Sequence, residues 1–166
     1  YGTPLIGVNL GHLGFITDVP KNVNPELIYR MVEGESSREE RTMLKMFDSK
    51  ESVIVNNIAL NDIVINRDNG KIIEFKEKIN NKCAYQARAD GLIISTPTGS
   101  TADALAAGGP IMQPSAAIFE IIPMMPQTLS NRPIIVNDTS TIDFIMVKGD
   151  ASVYSDGNLS LTLNAG

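Results

Sequence analysis

Hydroxyl-bearing side chains are concentrated in residues 90–102, where they could bind phosphate or ribose oxygens. Asp90 precedes the short apolar run 92–94, and five serine and threonine side chains follow that run. The run predicts a buried strand, and residues 102–107 predict a short helix that ends before two glycines. A strand, a hydroxyl-rich turn and a helix N-terminus can together cradle phosphate or ribose oxygens. An ordinary strand, turn and helix with well-capped ends would give the same pattern, and no Walker-type lysine accompanies it.

Composition excludes several classes of function. The chain has 166 residues, about the length of one domain, and 43% of them are hydrophobic. No apolar stretch is long enough for a membrane span. The formal net charge of −5 argues against a nucleic-acid partner, whose affinity would need a basic surface. With one cysteine, Cys83, and one histidine, His12, neither a disulfide framework nor a zinc site is expected, and a cytoplasmic location is predicted.

The order of helical and strand patterns predicts two domains. Asn24 and Pro25 begin a predicted helix that ends at Gly34, and strand patterns dominate afterwards. We expect residues 1–35 to be the end of an α/β domain and residues 36–166 to be a largely antiparallel β-rich domain with one inserted short helix. We also expect the chain to be the middle of a longer protein, truncated at both ends. The predicted strands are 5–9, 41–47, 52–60, 62–66, 71–79, 82–88, 118–122, 132–136, 142–147 and 153–163, with turns at Asn80-Asn81 and Asp156-Gly157.

Five segments in order give the chain a resemblance to the bacterial NAD kinases. They read GVNLGHLGFITD (7–18), ALND (59–62), RADGLIISTPTGSTA (88–102), AGGP (107–110) and TLSNRPI (128–134). The segment 88–102 is the most specific of them, whereas the shorter motifs alone would be weak.

The resemblance implies a fold and an activity. Family members transfer the γ-phosphoryl group of ATP, or of polyphosphate, to the 2′-hydroxyl of the adenosine ribose of NAD. A divalent metal, Mg²⁺ or Mn²⁺, assists. The implied fold is a Rossmann-like α/β domain followed by a β-rich, sandwich-like domain, with NAD bound between them. Members form homodimers or homotetramers in which the NAD site lies near a subunit interface.

The resemblance also assigns nine residues to the NAD site. Asn61 and Asp62 would contact the adenosine part of NAD, and Arg88 and Asp90 would reach the nicotinamide side across a subunit contact. The adenine and ribose pocket would be lined by Thr101, Ala102, Asp103 and Ala106. Asn158 stands where the family has a late polar residue of the pocket. Judged from the residues alone, Asn61-Asp62 could be only a bulge or turn. Arg88 could be a solvated strand residue, or it could form an ion pair with Asp90.

The chain departs from the family pattern in three places, one of which is the pair Gln113 and Gln127, where the family often has histidine. It contains no Gly-Gly-Asp-Gly motif, which supplies the family's general base, so we expect no catalytic or metal-binding residue in these 166 residues and no activity from them alone. The family has tyrosine where this chain has Asp103, which leaves either weakened NAD affinity or a compensated pocket. Locally, Asp103 fits a capping box in which Ser100 is the N-cap.

Two other functions stay open at this point. One is a non-catalytic module for dinucleotide binding or oligomerisation. The other is a related kinase of lipids or sugars, because that wider superfamily shares the glycine-rich base motif. The segment 88–102 favours NAD over a lipid or a sugar.

Overall fold

Antiparallel strands make up most of the described chain. The structure is a computed structural model that describes residues 3–10, 16–17, 19–49, 54–128 and 130–165. It divides into two units, Tyr1–Glu40 and Arg41–Gly166. The division lies close to the domain boundary that the sequence predicts between residues 35 and 36. Those two domains are predicted for a longer protein, and the boundary stays a prediction.

The first unit contains two short strands and one helix. Strands β1 (Val8–Asn9) and β2 (Val19–Pro20) pair in parallel, and helix α1 (Pro25–Val32) follows. The predicted N-cap is confirmed, because the Glu26 N–H donates to Asn24 Oδ1 at 3.0 Å. Most of the glycine-bearing segment that follows β1, residues 11–15 and 18, lies outside the described residues.

The second unit is built from two larger sheets and one small ribbon. The larger sheets have the strand orders β10-β9-β8-β5-β12-β13 and β11-β6-β7, and all their neighbours are antiparallel. The ribbon is the pair β3-β4. The strands are β3 (Leu44–Lys45), β4 (Ile58–Ala59), β5 (Asp62–Arg67), β6 (Ile73–Ile79), β7 (Lys82–Ala89), β8 (Gly91–Ser95), β9 (Ile118–Met124), β10 (Ile134–Asn137), β11 (Ile142–Lys148), β12 (Asp150–Ser155) and β13 (Asn158–Asn164).

The main core lies between the two larger sheets. Leu92 and Ile94 of β8 contribute from the six-stranded sheet, and Phe75 of β6 contributes from the three-stranded sheet. The Phe75 ring lies 4.8 Å from that of Phe144, centroid to centroid. Burying a large apolar side chain stabilises the fold by about 1.5–3 kcal/mol. The predicted β-rich domain with sandwich-like packing is therefore confirmed.

A second, smaller cluster covers the other face of the six-stranded sheet. Its buried members are Ile93 of β8, Ile122 of β9 and Ala104 of helix α2 (Asp103–Ala106). Because side chains alternate along a strand, Ile93 points away from the main core that Leu92 and Ile94 fill. All five residues of β8 are buried as a result.

Two turn predictions are confirmed, and several predicted strands are shorter than expected. Asn80 and Asn81 have φ angles of 51° and 65°, and Asp156 and Gly157 have 46° and 76°, as tight hairpin turns require. The predicted strands 5–9, 41–47 and 52–60 contain only the two-residue strands β1, β3 and β4, and residues 50–53 lie outside the described residues.

Candidate functional site

The hydroxyl-rich turn after β8 is held against the chain segment that leads into β5. The Ser95 hydroxyl donates to the carbonyl oxygens of Asn61 at 3.3 Å and of Thr96 at 3.0 Å. The Thr96 hydroxyl donates to the Leu60 carbonyl at 2.5 Å and accepts the Gly99 N–H at 3.2 Å. The buried hydroxyls of Ser95 and Thr96 therefore satisfy backbone groups of the fold, and the phosphate or ribose cradle stays a prediction.

The predicted capping box at Ser100 is wrong. A short 3₁₀ turn, Gly99–Thr101, precedes α2, so the N-cap of the helix is Ala102, which has no side-chain oxygen. Ser100 is fully buried; its hydroxyl donates to the Pro97 carbonyl at 2.8 Å and accepts the Met112 N–H at 3.0 Å. Because Ser100 lies in the 3₁₀ turn before α2, its hydroxyl connects two loops and does not cap the helix.

The Asp156 carboxylate holds the segment that contains Asn61 and Asp62. Three consecutive backbone N–H groups donate to it, those of Leu60 and Asn61 at 2.8 Å and that of Asp62 at 3.2 Å. Asp156 reaches them from the β12-β13 hairpin turn. The predicted hairpin residue thus also fixes the backbone of a predicted ligand-binding segment.

Asp62 is a buried carboxyl at the start of β5. It is only 3% exposed and lies opposite Ser95 of β8. Burial raises its pKa to about 6, and the charges of Asp103 and Asp156 add to the effect. The Asp62 carboxyl therefore changes charge in mildly acidic solution, and its ionised form is the stronger acceptor of hydrogen bonds from ligand hydroxyls.

A cavity of about 680 Å³ lies on the α2 side of the six-stranded sheet. This volume is within the range typical of small-molecule sites. Apolar residues of β5, β8, α2 and β9 form much of its wall, and its charged residues are one arginine and two aspartates. The lining residues are Val64, Asn66, Arg67, Gly70, Asp90, Ile93, Asp103, Ala106, Ala107, Met124 and Met125.

Arg67 forms the ion pair with Asp90 that the sequence left open for Arg88. The distance from Arg67 Nη2 to Asp90 Oδ2 is 3.0 Å, and the Arg67 N–H donates to the Asp90 carbonyl at 2.9 Å. Arg88 is an exposed strand residue, because it lies on the outward face of β7. The solvated alternative for Arg88 is thus the one that the structure supports.

The structure brings together some of the nine predicted site residues and separates others. Asp90, which lies between β7 and β8, lines the cavity together with Asp103 and Ala106 of α2. Asn61 and Asp62 lie against the turn that precedes α2, and Thr101 and Ala102 belong to that turn. Arg88 and Asn158 are exposed and do not line the cavity; the Asn158 amide donates to the Asp156 carbonyl at 3.1 Å.

Three polar or flexible cavity residues were missed from the sequence, namely Asn66, Arg67 and Gly70. The signal for Asn66 and Arg67 is the register of β5 against β8, whereas Gly70 lies beyond the end of β5. Asp62 pairs with Ser95 and Asn66 with Gly91, so the next pair along the ladder is Arg67 and Asp90. A pairing register between distant strands is a tertiary feature, and the sequence around Arg67 alone does not reveal it.

The described residues do not supply a metal site of their own. Among residues 3–10, 16–17, 19–49, 54–128 and 130–165, no three His, Cys, Asp or Glu side chains come close enough to hold a metal ion. The divalent metal that the resemblance implies therefore lacks a ligand set in this part of the chain. No helix among the described residues is long and apolar enough to cross a membrane.

Glu120 of β9 is a fully buried carboxyl on the strand next to β8. Neither of its oxygens has a hydrogen-bond partner within the described chain. Burial raises its pKa from 4.5 to about 7. The fold therefore holds Glu120 protonated in mildly acidic solution.

Because Glu120 loses its proton at lower pH in the unfolded chain than in the folded one, we expect the free energy of unfolding to fall by about 2 kcal/mol as the pH rises from 4.5 to 7. A carboxyl whose pKa is raised by folding contributes its full stability when the pH is below its pKa in the unfolded state. That contribution is lost as the pH rises to its pKa in the folded state. Glu120→Gln should flatten the profile, which urea unfolding at pH 5 and pH 7.5 would measure. Equal pH dependence in the variant and the parent protein would contradict this.

Three comparisons relate the chain to known proteins. Residues 60–166 match the family model described as the ATP-NAD kinase C-terminal domain. The chain is 46% identical over 160 residues to the NAD kinase of Laribacter hongkongensis, covering 95% of this chain and 55% of that protein. It is 42% identical over 166 residues to the NAD kinase of Chromobacterium violaceum, covering 98% and 57%. The chain thus spans about half the length of the curated relatives it matches.

Solved structures of similar proteins share the fold. A crystal structure of yeast NADH kinase complexed with NADH has a TM-score of 0.84 and 27% identity, covering 97% of this chain and 49% of that one. A crystal structure of an NAD kinase from Archaeoglobus fulgidus in complex with ATP has a TM-score of 0.82 and 26% identity, covering 98% and 62%.

Proposed function

Since this chain belongs to the ATP-NAD kinase family, we propose that the protein phosphorylates NAD to NADP. The 2′-oxygen of the adenosine ribose attacks the γ-phosphorus of ATP or the terminal phosphorus of polyphosphate. A new oxygen–phosphorus bond forms as the bond to the leaving phosphate breaks, and the hydroxyl proton is released. With ATP as donor the products are NADP and ADP, and these 166 residues supply a wall of the NAD site.

The observation that carries the proposal is the cavity beside α2. Its size suits part of a dinucleotide, and it is lined by Asp90, Asp103 and Ala106, three residues that the family resemblance assigns to NAD. An apolar surface with a few charged groups is typical of a site that binds a ring system and fixes its orientation by polar contacts.

The remaining assigned residues enter the proposal with distinct roles. The ionised Asp62 carboxylate accepts hydrogen bonds from ribose hydroxyls, and Asn61 adds its amide beside it. Thr101 and Ala102 border the adenine and ribose. Arg88 and Asn158 are exposed, which suits contact with a ligand held partly by a second subunit, and we propose a homodimer or homotetramer on that ground.

The phosphoryl chemistry itself is assigned to residues outside this sequence. No Gly-Gly-Asp-Gly motif occurs in the 166 residues, and catalysis of phosphoryl transfer depends on positioning and charge neutralisation around the transferred group. A magnesium or manganese ion bound with the phosphoryl donor would neutralise its negative charge. We propose a cytoplasmic enzyme with no nucleic-acid partner; its one cysteine, Cys83, is free.

The direct test is NADP formation by the complete gene product from NAD, ATP and magnesium. Turnover that depends on all three supports the proposal. NAD binding without turnover would indicate a non-catalytic dinucleotide-binding or oligomerisation module. No NAD binding, with phosphorylation of a lipid or a sugar, would indicate a related kinase.

Asp103 predicts a specific pH dependence of NAD binding. Its charge contributes to the raised pKa of Asp62, so NAD affinity should increase as the pH rises through about 6 and Asp62 ionises. Asp103→Asn should move the midpoint of that increase to lower pH, by less than about one unit because Asp103 is exposed. NAD titrations between pH 5 and pH 8 would measure the midpoint. In a separate comparison, the NAD affinity of Asp103→Tyr would show whether the tyrosine found in the family strengthens binding. NAD affinity that does not change between pH 5 and pH 8 would remove Asp62 from the NAD site, and an unchanged midpoint in Asp103→Asn would remove the coupling between the two carboxyls.

A further inference from the structure

We infer that Arg67 is a positioning residue that fixes the Asp90 carboxylate for contact with the nicotinamide side of NAD. The inference rests on the proposed function, because it assigns a further residue to the same site. Neither the resemblance nor the sequence pattern pointed to Arg67. The residue ends β5, next to the point where β8 begins, and it lines the cavity with Asp90.

The Arg67 guanidinium is anchored on both sides. Its Nη1 donates to the Gly70 carbonyl at 2.5 Å, and its Nη2 lies 3.0 Å from Asp90 Oδ2. The planar guanidinium presents several donors in a fixed geometry, so one contact restricts the direction of the other. Asp90 is thereby held by a group that is itself immobilised.

The Asp90 backbone is fixed as firmly as its side chain. Its carbonyl accepts the Arg67 N–H at 2.9 Å, and its N–H donates to the Met124 carbonyl at 2.9 Å. Because the Asp90 backbone is hydrogen-bonded to strands on both sides, only the side-chain torsions of Asp90 can still change. The ion pair restricts them and engages Oδ2, so we assign the contact with a ligand donor to Oδ1.

Charge balance in the cavity makes the ion pair functionally important. Among the described residues that line the cavity, Arg67 is the only base, and Asp90 and Asp103 are the acids. Without Arg67, the described cavity lining would keep two carboxylates and no base, and the Asp90 side chain would lose its ion-pair partner. The side chains of Arg67 and Asp90 are only 31% and 21% exposed, so their attraction is screened less than that of a surface pair.

A double-mutant cycle in the complete gene product tests the inference. The variants are Arg67→Met, Asp90→Asn and their combination, and the readouts are KM for NAD, kcat and the thermal unfolding midpoint. Arg67→Met should raise KM for NAD about tenfold with kcat within about twofold, because the contact is the same in ground and transition states. In the Asp90→Asn background, Arg67→Met should change KM by less than about twofold, since its target is already lost.

Two further variants separate positioning from mere stability. Arg67→Lys keeps the charge but loses the two-sided anchoring, so its KM should lie between those of the parent and Arg67→Met. The matched control is Arg30→Met, which removes an ion pair with Glu35 whose side chains are 58% and 56% exposed. This control should leave KM and kcat within about twofold of the parent.

The outcomes distinguish this inference from the proposed function. If the parent enzyme makes no NADP from NAD, the proposed function fails and this inference fails with it. If the parent is active but Arg67→Met changes KM equally in both backgrounds, Arg67 acts independently of Asp90 and only the inference is overturned. A change confined to the thermal midpoint, with KM unchanged, overturns it as well.

Discussion

Gly99→Ala is expected to lower the free energy of unfolding by about 3 kcal/mol and to weaken NAD binding severely. A methyl group on Gly99 would lie 2.2 Å from the carbonyl oxygen of Asn61 and 2.7 Å from its Cα. These are backbone atoms, so no side chain can rotate away to make room. The turn before α2 and the Asn61-Asp62 segment would have to separate, although both belong to the proposed site. Urea unfolding and NAD titration would measure the two effects.

The control for this prediction is Gly34→Ala. Gly34 has a φ of +99°, and a methyl group on its Cα would meet no atom within 4 Å, so its substitution adds backbone strain without a clash. The expected cost is about 1 kcal/mol, with unchanged NAD binding. Gly99 does not have a left-handed backbone, so its substitution isolates the clash. Costs of equal size at the two glycines would contradict the close packing of Gly99 on Asn61.

Asp156→Ala is expected to lower the free energy of unfolding by about 3 kcal/mol and NAD affinity by about tenfold or more. The Asp156 carboxylate accepts three backbone N–H groups, those of Leu60, Asn61 and Asp62. Alanine leaves all three without this acceptor and is also disfavoured at a φ of 46°. Because the same three residues enter β5 at the proposed ligand site, the loss of stability and the loss of affinity should occur together.

Two conservative variants divide the Asp156 effect into its causes. Asp156→Asn keeps one acceptor oxygen and tolerates the left-handed backbone, so it should be the mildest variant. Asp156→Gly keeps only the backbone conformation and should fall between asparagine and alanine. If glycine restored full stability and NAD affinity, the turn conformation would matter and the carboxylate contacts would not.

The sequence predicts those parts of the fold that depend on local chemistry. Asn24 with Pro25 identifies the start of α1, and the paired residues Asn80-Asn81 and Asp156-Gly157 identify two hairpins, because left-handed turns restrict residue type. The apolar run 92–94 identifies a buried strand for an equally local reason. The family resemblance then adds the cavity residues Asp90, Asp103 and Ala106, which no local pattern would supply.

The bonding partner of a polar side chain cannot be predicted from the sequence when several different groups could bond to it. Ser100 fits an N-cap by spacing, but a 3₁₀ turn gives its hydroxyl to Pro97 and Met112, which are close only in the folded chain. Arg88 is near Asp90 in sequence, yet Arg67 takes the ion pair because the β5-β8 register places it there. The Ser100 prediction was wrong, and the choice for Arg88 stayed open, because in both cases the bonding partners come from parts of the chain that are close only after folding.

The alternation of side chains along β5 limits how this site can change its ligand preference. Ile63 and Ile65 fill the main core, while Val64 and Asn66 line the cavity on the opposite face. Deleting or inserting one residue within β5 would exchange the two faces, exposing isoleucines in the cavity and burying an amide in the core. Variation by substitution at Val64 and Asn66 is therefore open to selection and to protein engineering, whereas variation in the length of this strand is not.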